Sequence, residues 1–156
     1  MSETLAVRLG TILDLDAVMR VMEDSFDPAF GEAWTAPQCA SLMPMSGVWL
    51  SLASEGEEAV GFSLSRVVAG EAELLLLAVK KDRQGHGVGR RLVEDFVAKA
   101  AEKGARRLHL EVRDGNGAIR LYQSAGFREA GRRKGYYTGR DGQIYDALTL
   151  AKTIPA

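Results

Sequence analysis

The run Arg83-Gln84-Gly85-His86-Gly87-Val88-Gly89-Arg90-Arg91 is where residue type and spacing come nearest to chemistry in this sequence. Glycine at every second position lets a backbone take turn angles closed to other residues and come close to a ligand. The run follows an apolar segment, Leu74 to Val79, and leads into an amphipathic one. That places it at the start of a helix, where unpaired backbone N–H groups can surround an anion. Arg90 and Arg91 in a first helical turn oppose the macrodipole, an arrangement that favours a bound anion nearby. A Rossmann fingerprint would need glycine where Arg90 stands, and a P-loop needs Gly-Lys-Ser/Thr, which is absent. A tight turn that merely opens a helix remains an alternative on these residues alone.

Two further residues have the right chemistry, each with a plainer alternative. Leu108, Leu110 and Val112 alternate with His109, Glu111 and Arg113, so a period-two strand points Glu111 away from the apolar set. A carboxylate there could accept a proton, or could simply be solvated or paired with Arg113. Tyr122 falls on the helical stripe Ala118, Leu121, Tyr122, Ala125, where core packing alone would explain it. His86 and His109 are the only histidines and lie far from any second metal ligand, so no metal site is expected, and His86 reads as a loop residue. Cys39, the single cysteine, rules out an intramolecular disulfide and a cysteine-rich metal site, and is expected to pack. Arg128, Arg132, Arg133 and Lys134 read either as a solvated basic face or as a contact for a phosphate.

The elements that must position these residues follow from periodicity and punctuation. Leu5 to Leu9 reads as a short strand, and Asp14 to Phe26 as a helix with Leu15, Val18, Met22 and Phe26 near one face and Asp14 as its cap. Thr35 and Gln38 have capping-box spacing for a second helix, with Pro37 tolerated in its first turn. Strands are predicted at about 48–53, 59–68 and 72–79, with a turn at Ser54-Glu55-Gly56. The third is apolar enough to be covered on both faces. A helix over about 88–103 stops at Gly104. The strand around Glu111 and a short helix over 117–125 follow, and two last strands close the chain. The order β-α-α-β-β-β-α-β-α-β-β predicts an α/β (α+β) fold: a mixed central sheet with helices on both faces.

Composition adds exclusions. The 156 residues suit a single domain spanning 1–156, and no repeat or linker divides them. A formal net charge of -1 gives no general electrostatic case for nucleic acid or a membrane surface. The beginning, MSETLAVRLG, does not read as a signal peptide, and the longest apolar run is too short to span a bilayer. The expectation is a cytoplasmic protein, monomeric or weakly dimeric.

Gln84-x-x-Gly87-x-Gly89 after a buried strand resembles the pyrophosphate-binding motif of the GNAT superfamily of N-acetyltransferases. The likeness continues through Leu110-Glu111-Val112-Arg113, Leu121-Tyr122 and Gly126-Phe127 to Tyr136-Tyr137 and the Asp141-Gly142 turn. This ordered set is similar to the bacterial branch that acetylates N-terminal alanine on a ribosomal protein. It is strong from Glu71 to about Leu150, and weaker before that. The resemblance implies acetyl-CoA as cosubstrate, with Leu77, Ala78 and Val79 along the pantetheine arm. Gln84, Gly85, His86, Gly87, Val88, Gly89 and Arg90 would hold the pyrophosphate, and Asn116 would touch the cofactor. It also implies Glu111 as general base and Tyr122 as general acid, with a backbone N–H near Val79 polarising the thioester carbonyl. One spacing departs from the family: Asn116 and Tyr122 are six residues apart, where seven is usual.

The acceptor then follows from acidity. An α-amine with pKa about 7.7–8.0 is roughly a tenth to a fifth neutral at pH 7, while a lysine at about 10.4 is neutral about 0.04% of the time. A positioned carboxylate is modest help for the first and a severe requirement for the second. The expected partner is a protein N-terminus, that of a ribosomal protein. The alternatives are a GNAT enzyme acting on a small amine, such as an antibiotic or polyamine, and a non-catalytic CoA-binding module.

Overall fold

The computed structural model describes residues 4–155. Its elements are β1 (Leu5–Leu9), α1 (Leu15–Ser25), α2 (Ala36–Leu42), β2 (Val48–Glu55), β3 (Glu58–Val68) and β4 (Glu71–Val79). They continue with α3 (Val88–Glu102), β5 (Arg107–Arg113), α4 (Ile119–Ser124), β6 (Arg128–Thr138) and β7 (Ile144–Thr153). Strands and helices alternate in the order the sequence predicts. The sheet runs β1-β2-β3-β4-β5-β7-β6, with β4 and β5 parallel and every other neighbouring pair antiparallel.

Hydrophobic periodicity explains why helices cover both faces. Val18, Val21 and Met22 of α1 and Cys39 of α2 bury against Leu50, Leu52, Phe62, Leu64, Leu76 and Ala78. On the other face, Val93, Phe96 and Ala100 of α3 and Tyr122 of α4 meet Leu74, Leu108, Leu110, Val112 and Leu150. Cys39 is wholly buried in the first of these clusters, as its packing role requires. The α2 capping box forms as its spacing predicts. The Thr35 hydroxyl accepts from the Gln38 N–H at 3.3 Å, and the Gln38 side chain accepts from the Thr35 N–H at 2.7 Å.

Local details differ from the sequence expectation at three places. Asp14 precedes α1 but makes no side-chain cap there. Its carboxylate is taken by Arg8 at 2.8 Å and by the Thr11 N–H at 2.9 Å, so an ion pair to β1 outcompetes the cap. The β2–β3 turn starts two residues later, on Gly56 and Glu57, because Ser54 and Glu55 still pair with Ala59 and Glu58. The helix α4 begins two residues later than expected, at Ile119, after a turn that Asn116 holds. Among the described residues no helix is long and apolar enough to cross a membrane.

Candidate active site

The site begins with an interruption in the sheet. Leu64 pairs with Leu76 and Ser65 with Leu74, leaving Leu75 without a partner on β3. Such a bulge puts two successive side chains on one face and bends the strand. Accordingly Leu75 and Leu76 both pack toward α1, while Leu74 before them and Leu77 after them pack toward α3. The β4–β5 ladder runs only from Glu71↔Arg107 to Leu74↔Leu110 and stops where the bulge begins. Beyond that point the two strands part around a cleft of about 690 Å³. Its walls are Leu74 to Leu77 and Val79 on one side and Leu110 to Arg113 on the other.

The glycine loop closes one end. Gly85 and Gly87 have φ of 80° and 87°, the left-handed region that glycine tolerates best. A Cβ on either would meet nothing within 4 Å, so both backbones face open space. Gly87 begins α3 without a side-chain cap, leaving the first N–H groups of a 15-residue helix free for an anion. Gly89 serves packing as well: a Cβ there would stand 3.0 Å from the Leu121 side chain of α4. Gln84 donates its side-chain N–H to the Val79 carbonyl at 3.0 Å, tying the loop to the end of β4. Arg90 lines the cleft and pairs with Glu94 at 3.1 Å.

Of the residues assigned to the cofactor by resemblance, Leu77, Val79, Gln84, Gly85, Gly87, Gly89, Arg90 and Asn116 line the cleft. Three do not. The Ala78 side chain packs in the α1 cluster, Val88 is buried beside Leu92, and His86 is exposed. The side chain of Asn116 has protein partners at both ends. Its Oδ1 accepts from the Ala118 N–H at 2.8 Å, and its Nδ2 donates to Glu32 at 2.8 Å.

Glu111 and Tyr122 both line the cleft, from β5 and α4. The Glu111 carboxylate is paired, though not with Arg113: Arg133 of β6 reaches it at 2.7 Å. Strand alternation does put Arg113 on the same side of β5, but its partner is Glu32, also at 2.7 Å. Tyr122 is buried and meets Phe127 edge-on, with 6.3 Å between ring centroids. Burial pushes its phenol far above the ordinary tyrosine value, and the nearby Glu32 and Tyr137 push the same way. Tyr137 behaves alike, chiefly through burial and then through Glu32. Both phenols therefore stay protonated at neutral pH.

One part of the lining was not legible in the sequence. Asp27, Phe30, Glu32 and Trp34 come from the connection between α1 and α2, which carries no periodic signal. This connection docks on the β6–β7 turn. The Arg140 N–H donates to the Pro28 carbonyl at 3.3 Å, and Phe30 meets Tyr145 edge-on at 5.3 Å. A Cβ on Gly31 would collide with the Thr138 carbonyl, and one on Gly139 with the Ala29 carbonyl. Those two glycines were the available signal, interpretable only once the loops were known to touch.

A strand pair parted by a bulge, with a glycine loop opening the helix that follows, is the arrangement of an acyltransferase of the GNAT class. The acetyltransferase (GNAT) family profile matches residues 15–127, and the chain belongs to that family. Among curated proteins it is similar to the ribosomal protein bS18-alanine N-acetyltransferase of Escherichia coli, 43% identical over 94 residues. Those residues are 60% of this chain and 63% of that relative's length. The crystal structure of the ribosomal-protein-S18-alanine N-acetyltransferase from E. coli superposes with a TM-score of 0.88 at 31% identity, covering 98% of this chain and 96% of that one. Arabidopsis thaliana NAA60, solved in complex with acetyl-CoA, shares the fold with a TM-score of 0.84 at 20% identity, covering 97% and 99%.

Proposed function

We propose that the chain transfers an acetyl group from acetyl-CoA to the α-amine of a protein N-terminus, that of an alanine on a small-subunit ribosomal protein. The observation that carries this is the parted β4–β5 pair, which sets a glycine-lined helix start at one end and Glu111 and Tyr122 in the same cleft. The E. coli relatives named for bS18-alanine acetylation support the choice of acceptor.

The residues present fit acetyl-CoA. Open space above Gly85 and Gly87, with the free N–H groups that follow, suits a pyrophosphate. The edge of β4 from Leu77 to Val79, unpaired with β5, offers backbone groups other than the Val79 carbonyl to an amide-bearing arm. A donor N–H near Val79 would stabilise the oxyanion as the amine attacks. Glu111 takes the proton that the amine loses, directly or through one water. Tyr122, kept protonated by burial, donates to the departing thiolate. The cosubstrate supplies an activated acyl group, so no covalent enzyme intermediate is needed.

Intact-mass analysis with acetyl-CoA and a panel of peptides and small amines tests the assignment. Peptides beginning with free alanine should gain one acetyl group at the terminus, with internal lysines spared. Acetylation mainly on lysine, or only on small amines, would overturn it.

A further inference from the structure

We propose that Glu32 determines acceptor specificity: its carboxylate, fixed on the cleft wall by Arg113 and Asn116, disfavours N-terminal segments with an acidic residue close to the reacting amine. This rests on a peptide α-amine being the acceptor, as proposed above. Glu32 belongs to the α1–α2 connection, and its side chain is only 10% exposed. Arg113 donates to Oε1 at 2.7 Å and Asn116 to Oε2 at 2.8 Å, so the group is held at both oxygens and cannot swing aside. An ionised carboxylate accepts about four hydrogen bonds, which leaves capacity toward the cleft that Glu32 lines.

Position decides what it would meet. Arg113 follows Glu111 by two residues on the same face of β5, a separation of roughly 7 Å. Glu32, paired with Arg113, lines the same cleft as the proposed base. Neighbouring Cα atoms are about 3.8 Å apart, so with the amine at Glu111 the first few acceptor residues lie within the cleft that Glu32 lines.

Charge decides the sign. The Arg113 guanidinium is occupied: Nε on Glu32, Nη1 on the Asp114 carbonyl, and its flat face 3.7 Å from the Phe30 ring centroid. Asp27, Glu73 and Glu111 also line the cleft, as do Arg113 itself and, toward the glycine loop, Arg90. Arg66 at 3.0 Å offsets Glu73, and Arg133 offsets Glu111 from a position that is 62% exposed. A second carboxylate brought here meets like charge in a confined space, where repulsion is stronger than in open water. A neutral or basic residue meets none.

The test compares alanine-first peptides differing only in lysine or glutamate at positions two and three. Wild-type kcat/KM should favour lysine by about tenfold or more, mainly through KM, and more strongly at low salt. Equal rates, or a preference for glutamate, overturn the inference without any variant. Glu32→Gln should reverse the ratio by exposing the Arg113 charge. Glu32→Gln with Arg113→Gln, which removes both charges, should bring the two peptides within about threefold. A purely structural role for Glu32 would slow both peptides alike, and a ratio unmoved in both folded variants sinks the proposal. Any change in acetyl-CoA affinity, which Asn116 held by Glu32 could carry, acts on both peptides alike and leaves their ratio unmoved. A wild type that acetylates no peptide terminus refutes the acceptor assignment and this inference together. One that acetylates the peptides without discrimination refutes this inference alone.

Discussion

Glu111 and Tyr122 are proposed to act on different protons, and pH separates them. Glu111→Gln keeps the shape but cannot accept the amine's proton, so turnover at pH 7 should fall by ~10²-fold or more. Raising the pH should restore part of that loss, because more α-amine is then neutral without help. Tyr122→Phe removes the donor to the thiolate and should cost a similar factor that alkaline buffer does not recover. Rate profiles from pH 6 to 9 check both. Full activity of Glu111→Gln across that range would leave water alone as the base. Glu111 also holds Arg133 at 2.7 Å, so its variant should be checked for fold by thermal melting.

The helix α3 is proposed to meet the pyrophosphate through a start that has no side-chain cap, and the glycine there is required by conformation rather than by crowding. Gly87 has φ of 87° with nothing near its absent Cβ. Gly87→Val should therefore cost roughly 1–2 kcal/mol in backbone strain, and its side chain would stand in the open space proposed for the pyrophosphate. Calorimetry should show acetyl-CoA affinity reduced at least tenfold in a variant that still melts cooperatively. Unchanged affinity in a folded variant removes the loop from the site. Gly89 works differently, because a Cβ there would press on Leu121 and disturb α4, which carries Tyr122.

The molecule as a whole should show its buried phenols in alkaline stability. Burial is the leading cause that raises Tyr122 and Tyr137 in the folded state, above an unfolded value near 10. A phenol that stays protonated when folded but ionises when unfolded contributes fully below about pH 10, and that contribution is lost as pH rises further. Each such tyrosine should lower stability by up to about 1.4 kcal/mol per pH unit in that window. Urea unfolding at pH 9, 10 and 11 should show a smaller fall in Tyr122→Phe than in wild type. Equal falls would mean that the Tyr122 phenol ionises alike in both states. Domain-wide packing also shapes the cleft, since the α1–α2 connection that lines it is seated on the β6–β7 turn.

The sequence by itself determined the element order, the two helical faces, the α2 capping box and the place of the glycine loop. All of these are set by local periodicity and by residues close in the chain. That Glu111 points away from the apolar set was legible for the same reason, because strand alternation is a local property; its place in a site followed from the family resemblance alone. Only tertiary structure decided the rest. The bulge at Leu75 depends on how β4 pairs with β3, and an apolar run such as Leu74 to Leu77 looks the same with or without it. The partners of Glu111 and Arg113 were exchanged relative to the nearest-neighbour guess. Each carboxylate and guanidinium met a strand or loop far away in sequence. Glu32 lies 81 residues from Arg113 and 84 from Asn116. No pattern in one chain announces a contact that long, because it exists only after the sheet has closed and the loops have met.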